Sequence, residues 1–114
     1  MSSAYATEPG FENHSLGLPG MITMKAGISA GEKDGQAYVN RRYGQSKLHW
    51  YIYKEDISFE QMKLIEKQVL QDLVNIHGYK KQHGKREHFI IPCTRKDIQL
   101  FVRRVIELYS LYTD

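Results

Sequence analysis

Residues 47–76 read KLHWYIYKEDISFEQMKLIEKQVLQDLVNI, and this stretch changes from one structural pattern to another. The aromatic and β-branched run at 47–53 is typical of a β-strand. Ser58 and Gln61 then stand at the spacing of a capping box, in which two side chains satisfy free backbone N–H groups at a helix start. Apolar residues follow at steps of three and four, which predicts an amphipathic helix. They are Met62, Ile65, Val69, Leu73 and Ile76.

Glu66 lies directly beside this apolar stripe. One interpretation is a functional carboxylate held at the edge of the core. The other is a solvent-facing side chain that pairs with Lys63 or Lys67, an interaction worth a few tenths of a kcal/mol. The helix pattern alone leaves both open.

Composition indicates one soluble intracellular domain. A chain of 114 residues with 41% hydrophobic and 25% charged residues is ordinary for a globular protein. No window approaches the roughly 18 consecutive apolar residues of a membrane helix, so we expect no membrane partner, and we see no secretory signal. The one cysteine, Cys93, excludes an internal disulfide and a cysteine-based zinc cluster within one chain. We therefore expect a reducing location, the cytoplasm or nucleus.

The remaining patterns predict the order of elements. Residues 1–20 are rich in Ser, Gly and Pro, and we expect an irregular arm that contains at most one short strand. Residues 21–29 predict a strand and 36–43 a short helix, and a last strand covers 88–91. Thr94 caps a final helix, with Asp97 in capping-box position.

The predicted fold is therefore α+β, a form of mixed α/β structure, in a single domain over residues 21–114. It has a small three-stranded, mainly antiparallel sheet flanked by helices, with an extra helix at the C-terminal end.

Basic residues are clustered along the chain, which has a net charge of +3 and a sequence pI near 9.0. We expect a surface for nucleic-acid phosphates if the fold brings two of the clusters together, and a solvated basic loop otherwise. The candidate nucleic-acid-binding residues are Arg41, Lys80, Lys81, Lys85 and Arg86.

Several motifs are absent from the sequence. It has neither a Gly-x-x-x-x-Gly-Lys-Ser/Thr loop nor Gly-x-Gly-x-x-Gly, so we expect no nucleotide cofactor bound through either motif. The spacing of the five histidines matches no tetrahedral zinc signature.

Four segments, Lys25–Ser29, Val39–Tyr43, Leu64–Leu70 and Glu87–Phe89, together resemble in order and spacing those of divergent GIY-YIG nuclease domains, and the last resembles a segment of the phage and viral branch. Lys25–Ser29 is similar to the strand that holds the family's second motif, and Val39–Tyr43 to its arginine helix. Leu64–Leu70 looks like the family's Leu-Glu-Lys helix, and Glu87–Phe89 like its Glu-Trp-Phe segment. The resemblance covers about residues 19–91.

The resemblance implies a metal-dependent DNA endonuclease that hydrolyses phosphodiester bonds, acting in the host cell if the protein is viral. It assigns Glu66 to a divalent metal, Mg²⁺ or Mn²⁺, and Arg42 to catalysis. These residue types suit the chemistry, because a carboxylate binds hard cations and a guanidinium offers a planar fork to phosphate oxygens.

The sequence departs from the family pattern at both tyrosine motifs. No Gly-Ile-Tyr segment is identifiable, and Pro19–Ile22 is only a loose stand-in. The tyrosine of the second motif aligns with Lys25, which is an unconventional general base but a candidate catalytic residue. The identity of the base stays open. The other candidates are Tyr5, Tyr38, His49, Tyr51 and Tyr53.

Two alternatives follow from these departures. A catalytically inactive descendant would bind nucleic acid, or a viral or host protein, through the same surface. A structural subunit would instead use the apolar face at Ile98–Tyr112 to form a homodimer, because an exposed apolar patch usually marks an interface.

Overall fold

The structure, a computed structural model, describes residues 2–7, 20–30, 49–54 and 57–113. Within these residues it contains five strands and two helices. In chain order they are β1 (Ser2–Thr7), β2 (Met21–Ala30), β3 (His49–Lys54), α1 (Phe59–Asn75), β4 (Lys80–Lys81), β5 (His88–Pro92) and α2 (Arg95–Thr113). The predicted α+β class and the additional C-terminal helix are confirmed. The predicted helix at 36–43 lies outside the described residues.

The five strands form one sheet in the order β3-β1-β2-β5-β4, and each neighbouring pair is antiparallel. The sheet therefore has two strands more than the three that the sequence predicts. One is β1, which comes from the predicted irregular arm and lies between β2 and β3. The other is β4, a two-residue edge strand within the basic loop. Both are poor in strand-favouring side chains, so pairing with neighbours rather than local propensity creates them.

The contact between β1 and β2 depends on a glycine. The register places Tyr5 directly opposite Gly27. A Cβ atom on Gly27 would lie 2.9 Å from both Cζ and the hydroxyl oxygen of Tyr5, so the tyrosine ring occupies the space that a side chain would need. Since the Tyr5 ring is itself buried, it has little room to move aside. Gly27 therefore fixes where the Tyr5 hydroxyl lies.

Both helices contribute to one hydrophobic core against the sheet. The α1 side of this core consists of Met62, Val69, Leu70 and Leu73, which confirms most of the predicted stripe. Ile76 was wrongly predicted to be buried, because it lies past the last helical turn, at the C-cap, and is 67% exposed. The polar residue Asp72 is also buried. It accepts hydrogen bonds from Gln68 and from the hydroxyl of Tyr112, which joins α1 to the end of α2.

The apolar face of α2 is used mainly within the chain. Phe101 packs against Tyr79 and Phe89, with ring centroids 5.1 and 5.6 Å apart. Four further residues of this face are buried in the core: Ile98, Val105, Leu108 and Tyr109. Leu111 and Tyr112, at the end of the helix, are exposed. Homodimer formation through α2 stays a prediction, with only this short terminal stretch as its surface.

Local capping signals position both helices as the sequence predicts. At α1, the backbone N–H of Gln61 donates to Ser58 Oγ, and the Ser58 N–H donates to Gln61 Oε1, each at 3.2 Å. At α2, the Asp97 N–H donates to Thr94 Oγ1 at 3.1 Å. The register of α1, and with it the direction of Glu66, is thus fixed from the first turn.

Replacing Gly27 by alanine should destabilise the fold by about 1–3 kcal/mol, because the new methyl group overpacks the buried Tyr5 ring. Urea unfolding followed by circular dichroism measures this loss. The same substitution in a Tyr5→Ala background is the control and should cost much less. An equal cost in both backgrounds would show that the Tyr5 contact is not the cause.

Candidate active site around Glu66

A cavity of about 430 Å³ lies between α1, the first half of the sheet and the segment before β5. Ile28 and Phe59 form its apolar wall. Its polar lining comprises two carboxylates, three basic side chains and one phenol: Glu66, Glu87, Lys25, Lys63, Arg86 and Tyr5. Acidic and basic groups converge here from three segments, β2, α1 and the connection before β5, which makes the cavity the candidate functional site.

Helix periodicity directs Glu66 into this cavity. It lies four residues after Met62 and three before Val69, both fully buried, so its side chain projects from the same face of α1. Glu66 is only 3% exposed, and its ion-pair partner is Arg86, at 3.1 Å. The solvent-facing interpretation of Glu66, paired with Lys63 or Lys67, is therefore wrong.

The connection between β4 and β5 brings in the opposing charges. Gly84, with a positive φ of 74°, allows the chain to turn, and Gln82 closes the turn by donating its N–H to the His88 carbonyl at 2.8 Å. Arg86 and Glu87 follow the turn directly. The Ala26 N–H donates to the Glu87 carbonyl at 3.1 Å, which holds this segment against β2.

The charged groups form a chain of alternating sign. Lys25 Nζ lies 3.3 Å from Glu87 Oε2. Arg86 Nη2 lies 3.1 Å from Glu87 Oε1 and also 3.1 Å from Glu66 Oε1. A single guanidinium nitrogen thus bridges the two carboxylates, while the lysine ammonium contacts the outer one. Such an arrangement lowers the repulsion between two acids held close together.

Burial is the main influence on the Glu66 carboxyl group. It raises the pKa of Glu66 to about 7, and the negative charge of Glu87 acts in the same direction. The positive charges of Arg86 and Lys25 oppose this shift without cancelling it. When protonated, Glu66 can hydrogen-bond to Glu87. When ionised, its second oxygen, Oε2, has no hydrogen-bond donor among the described residues.

Two tyrosines border the acidic pair. Tyr5 contributes to the cavity wall, and Lys25 Nζ lies 5.8 Å from the centre of its ring. Tyr109 of α2 is fully buried, and its hydroxyl has no hydrogen-bond partner within the described part of the chain. Burial, and then the nearby charges of Glu66 and Glu87, raise the pKa of Tyr109 well above its ordinary value. Tyr109 is consequently a neutral phenol.

Three of the predicted site residues meet in this cavity: Lys25, Glu66 and Arg86. Lys80 and Lys81 instead line a second cavity of about 580 Å³ beside the C-terminal half of α1. Lys85 is exposed in the connection between β4 and β5. Four of the five predicted nucleic-acid-binding residues, all except Arg41, therefore lie in β4 or in the connection from β4 to β5.

The other predicted residues are described only in part or not at all. Arg41 and Arg42 lie outside the described residues, as does Tyr38. For His49 and Tyr51 the structure describes the backbone in β3, where Tyr51 is the register partner of Tyr5. Among the candidate general bases, Tyr5 and Lys25 are thus the two whose described side chains line the cavity.

The sequence interpretation did not assign Glu87 to the site, and it named Tyr5 only among five alternatives. Glu87 carries a weak signal, since it lies next to a basic residue immediately before a predicted strand. Tyr5 carries almost none, because the residues around it are Ala and Ser and its relation to Gly27 depends on a pairing between distant segments.

The donor set fits a lightly coordinated divalent ion rather than a full protein cage. No group of three or more His, Cys, Asp or Glu residues able to hold a metal occurs in the described residues. Mg²⁺ requires fewer protein ligands, because it retains several waters and is commonly bound by one or two carboxylates together with substrate phosphates. The unpartnered Glu66 Oε2, with Glu87 beside it, meets that requirement.

No family model, curated protein or solved structure matches this chain. Neither α1 nor α2 is long and apolar enough to span a membrane. The resemblance to GIY-YIG domains therefore rests on the sequence segments given above.

The raised pKa of Glu66 predicts a loss of stability as the pH increases. In the unfolded chain this carboxyl ionises near its ordinary value of 4.5, whereas in the folded protein it does so at about 7. Its contribution is therefore complete below pH 4.5 and declines until the pH passes 7, by an amount on the order of 3 kcal/mol. Glu66→Gln should remove this decline and be more stable than the wild type at pH 8.

Urea unfolding at pH 4.5, 6 and 8 measures this dependence. Glu107→Gln is the matched control, because Glu107 is exposed on α2, and it should follow the wild-type curve. Parallel curves for the wild type and Glu66→Gln would contradict the assignment.

Proposed function

We propose that the protein is a metal-dependent nuclease that hydrolyses phosphodiester bonds, with DNA as its substrate. The observation that carries this proposal is the buried carboxylate of Glu66, whose second oxygen has no donor among the described residues, in a cavity that also holds Glu87 and three basic side chains. A buried acid with an oxygen that lacks a hydrogen-bond partner, close to clustered basic side chains, is typical of sites that bind a metal and a phosphate together.

Glu66 and Glu87 are the residues that would hold the metal. Bound there, a Mg²⁺ or Mn²⁺ ion supplies charge that polarises the phosphate and stabilises the departing oxygen. The two acids are held in place by different elements. The helix α1 presents Glu66, and the segment held against β2 presents Glu87.

The basic residues would bind the scissile phosphate. Arg86 extends to the surface with a 68% exposed side chain, and Lys63 is exposed on the first half of α1. A guanidinium can donate two parallel hydrogen bonds to phosphate oxygens, and an ammonium adds a point charge. Lys25 is more deeply placed and neutralises Glu87. This division leaves Arg86 and Lys63 as the groups that a phosphate entering from solvent would meet.

Tyr5 supplies the hydroxyl for activating or orienting water. The Gly27 contact fixes its ring, and Lys25 lies close to that ring. In this proposal β1 provides the tyrosine that the family pattern expects, while Lys25 occupies the place of the second one. Arg42 remains the predicted catalytic arginine from the sequence resemblance.

Substitution of Glu66 should abolish nuclease activity. In a plasmid-nicking assay with Mg²⁺ or Mn²⁺, we expect Glu66→Gln to reduce the rate by about 100-fold or more, because the charge that holds the metal is lost. Tyr5→Phe and Arg42→Ala should also reduce it. Glu107→Gln, on an exposed part of α2, is the matched control and should cleave like the wild type. Equal nicking by wild type and Glu66→Gln would refute the proposal.

The basic edge of the sheet should contribute to DNA binding independently of cleavage. The double variant Lys80→Gln/Lys81→Gln should make the plot of log association constant against log salt concentration less steep, by about two in the absolute slope, since two phosphate contacts are lost. Fluorescence anisotropy with a labelled duplex over a salt series measures this. Arg95→Gln/Lys96→Gln removes two exposed charges from the start of α2 and serves as the control. Equal slopes in both variants would show that Lys80 and Lys81 of β4 do not contribute to DNA binding.

A further inference from the structure

We infer that Arg86 closes the acidic pair against metal ions in the free protein, and that a substrate phosphate opens it by binding the guanidinium. This inference rests on the proposed function and describes the regulation of the same site. It makes metal binding depend on nucleic acid, so that the two ligands bind with positive coupling.

The position of the guanidinium is the first support. Arg86 Nη2 is 3.1 Å from Glu66 Oε1 and 3.1 Å from Glu87 Oε1, and so lies between the two carboxylates. A cation bridging the same oxygens would have to occupy the same place. Arg86 and a divalent ion therefore compete for Glu66 and Glu87.

The two ends of this ion pair differ sharply in exposure. The Arg86 side chain is 68% exposed, whereas Glu66 is almost completely buried. Arg86 can leave for water at little cost, because its guanidinium is then fully hydrated. Glu66 cannot follow, and an ionised carboxylate left alone in a buried position is strongly unfavourable. When Arg86 leaves, either a proton or another cation must therefore take its place on Glu66.

A substrate phosphate can replace the two carboxylates as the partner of Arg86. Arginine binds phosphate in a bidentate geometry, and each charge-assisted hydrogen bond is stronger than a neutral one. Arg86 lies in the connection before β5 rather than within a strand, so its side chain can turn outward without breaking the sheet. Phosphate attracts Arg86 and the vacated carboxylates attract the metal, so each ligand favours the other.

The unpartnered Glu66 Oε2 is independent support for a ligand at this place. Arg86 contacts only Oε1, and no donor from the described residues reaches Oε2. A carboxylate that served only as the partner of Arg86 would be expected to use both oxygens in a fork geometry. Oε2 is therefore still able to accept a hydrogen bond or to bind a cation while Arg86 is paired with Oε1.

Binding of Mn²⁺ alone, measured from the electron paramagnetic resonance of the free ion, tests this inference. Arg86→Gln should bind Mn²⁺ about tenfold more tightly than the wild type, a factor that corresponds to one charge-assisted contact. Arg103→Gln makes the same substitution at an exposed position on α2, outside the cavity, and is the matched control. It should bind Mn²⁺ like the wild type. A Glu66→Gln protein identifies how much of the binding belongs to this site.

A second measurement adds a phosphorothioate oligonucleotide that resists cleavage. It should tighten Mn²⁺ binding by the wild type and change the affinity of Arg86→Gln much less. If the wild type binds Mn²⁺ through Glu66 but Arg86→Gln binds no more tightly, the inference is overturned while the proposed function stands. If no Mn²⁺ binding depends on Glu66 in any variant, the metal site and the inference both fail.

Discussion

The burial of one carboxylate, that of Glu66, is the constraint on which the site depends. Its neighbours on the buried face of α1 are Met62 and Val69, so the helix cannot bury its apolar side chains without burying Glu66 as well. An ionised carboxylate in such a place costs several kcal/mol unless partners compensate for it. Arg86 compensates only in part, because Glu87 adds a second negative charge nearby. A leucine there would favour stability, and a buried acid with a raised pKa at such a position makes Glu66 a candidate functional residue.

Strand pairing brings the partners of Glu66 together from distant parts of the chain. β2 lies at the centre of the sheet, with β1 on one side and β5 on the other. It contributes Lys25 and the contact surface for Tyr5, and its hydrogen bond to the Glu87 carbonyl fixes the end of the basic connection. A shift of one residue in either pairing would turn these side chains to the opposite face. The register therefore matters as much for the site as the identity of its residues.

The features that sequence analysis predicted correctly are those decided by nearby residues. The start of α1 follows from Ser58 and Gln61, and β2 and β5 follow from their own aliphatic side chains. β1 could not be predicted with the same ease, because its Ala and Ser residues have little strand preference and the strand exists through pairing with β2 and β3. The Glu66–Arg86 ion pair spans 20 residues, and no local pattern encodes it. The resemblance assigned Glu66 to a metal site. Its burial and its contact with Arg86, however, depend on the three-dimensional fold and cannot be inferred from the local sequence.

Lys25 gives the departure from the family pattern a physical meaning. With Lys25 and Arg86 facing Glu66 and Glu87, the cluster holds two positive and two negative groups and is balanced without a metal. A tyrosine at position 25 would leave the acids in excess by one charge, which would favour a divalent cation in the proposed site. The lysine removes that excess. A divalent ion entering the balanced cluster adds uncompensated positive charge, which the negative charge of a phosphate can offset. In the proposed site, Lys25 and the closing contact of Arg86 would have the same electrostatic effect, since each would make metal binding depend on the arrival of a phosphate.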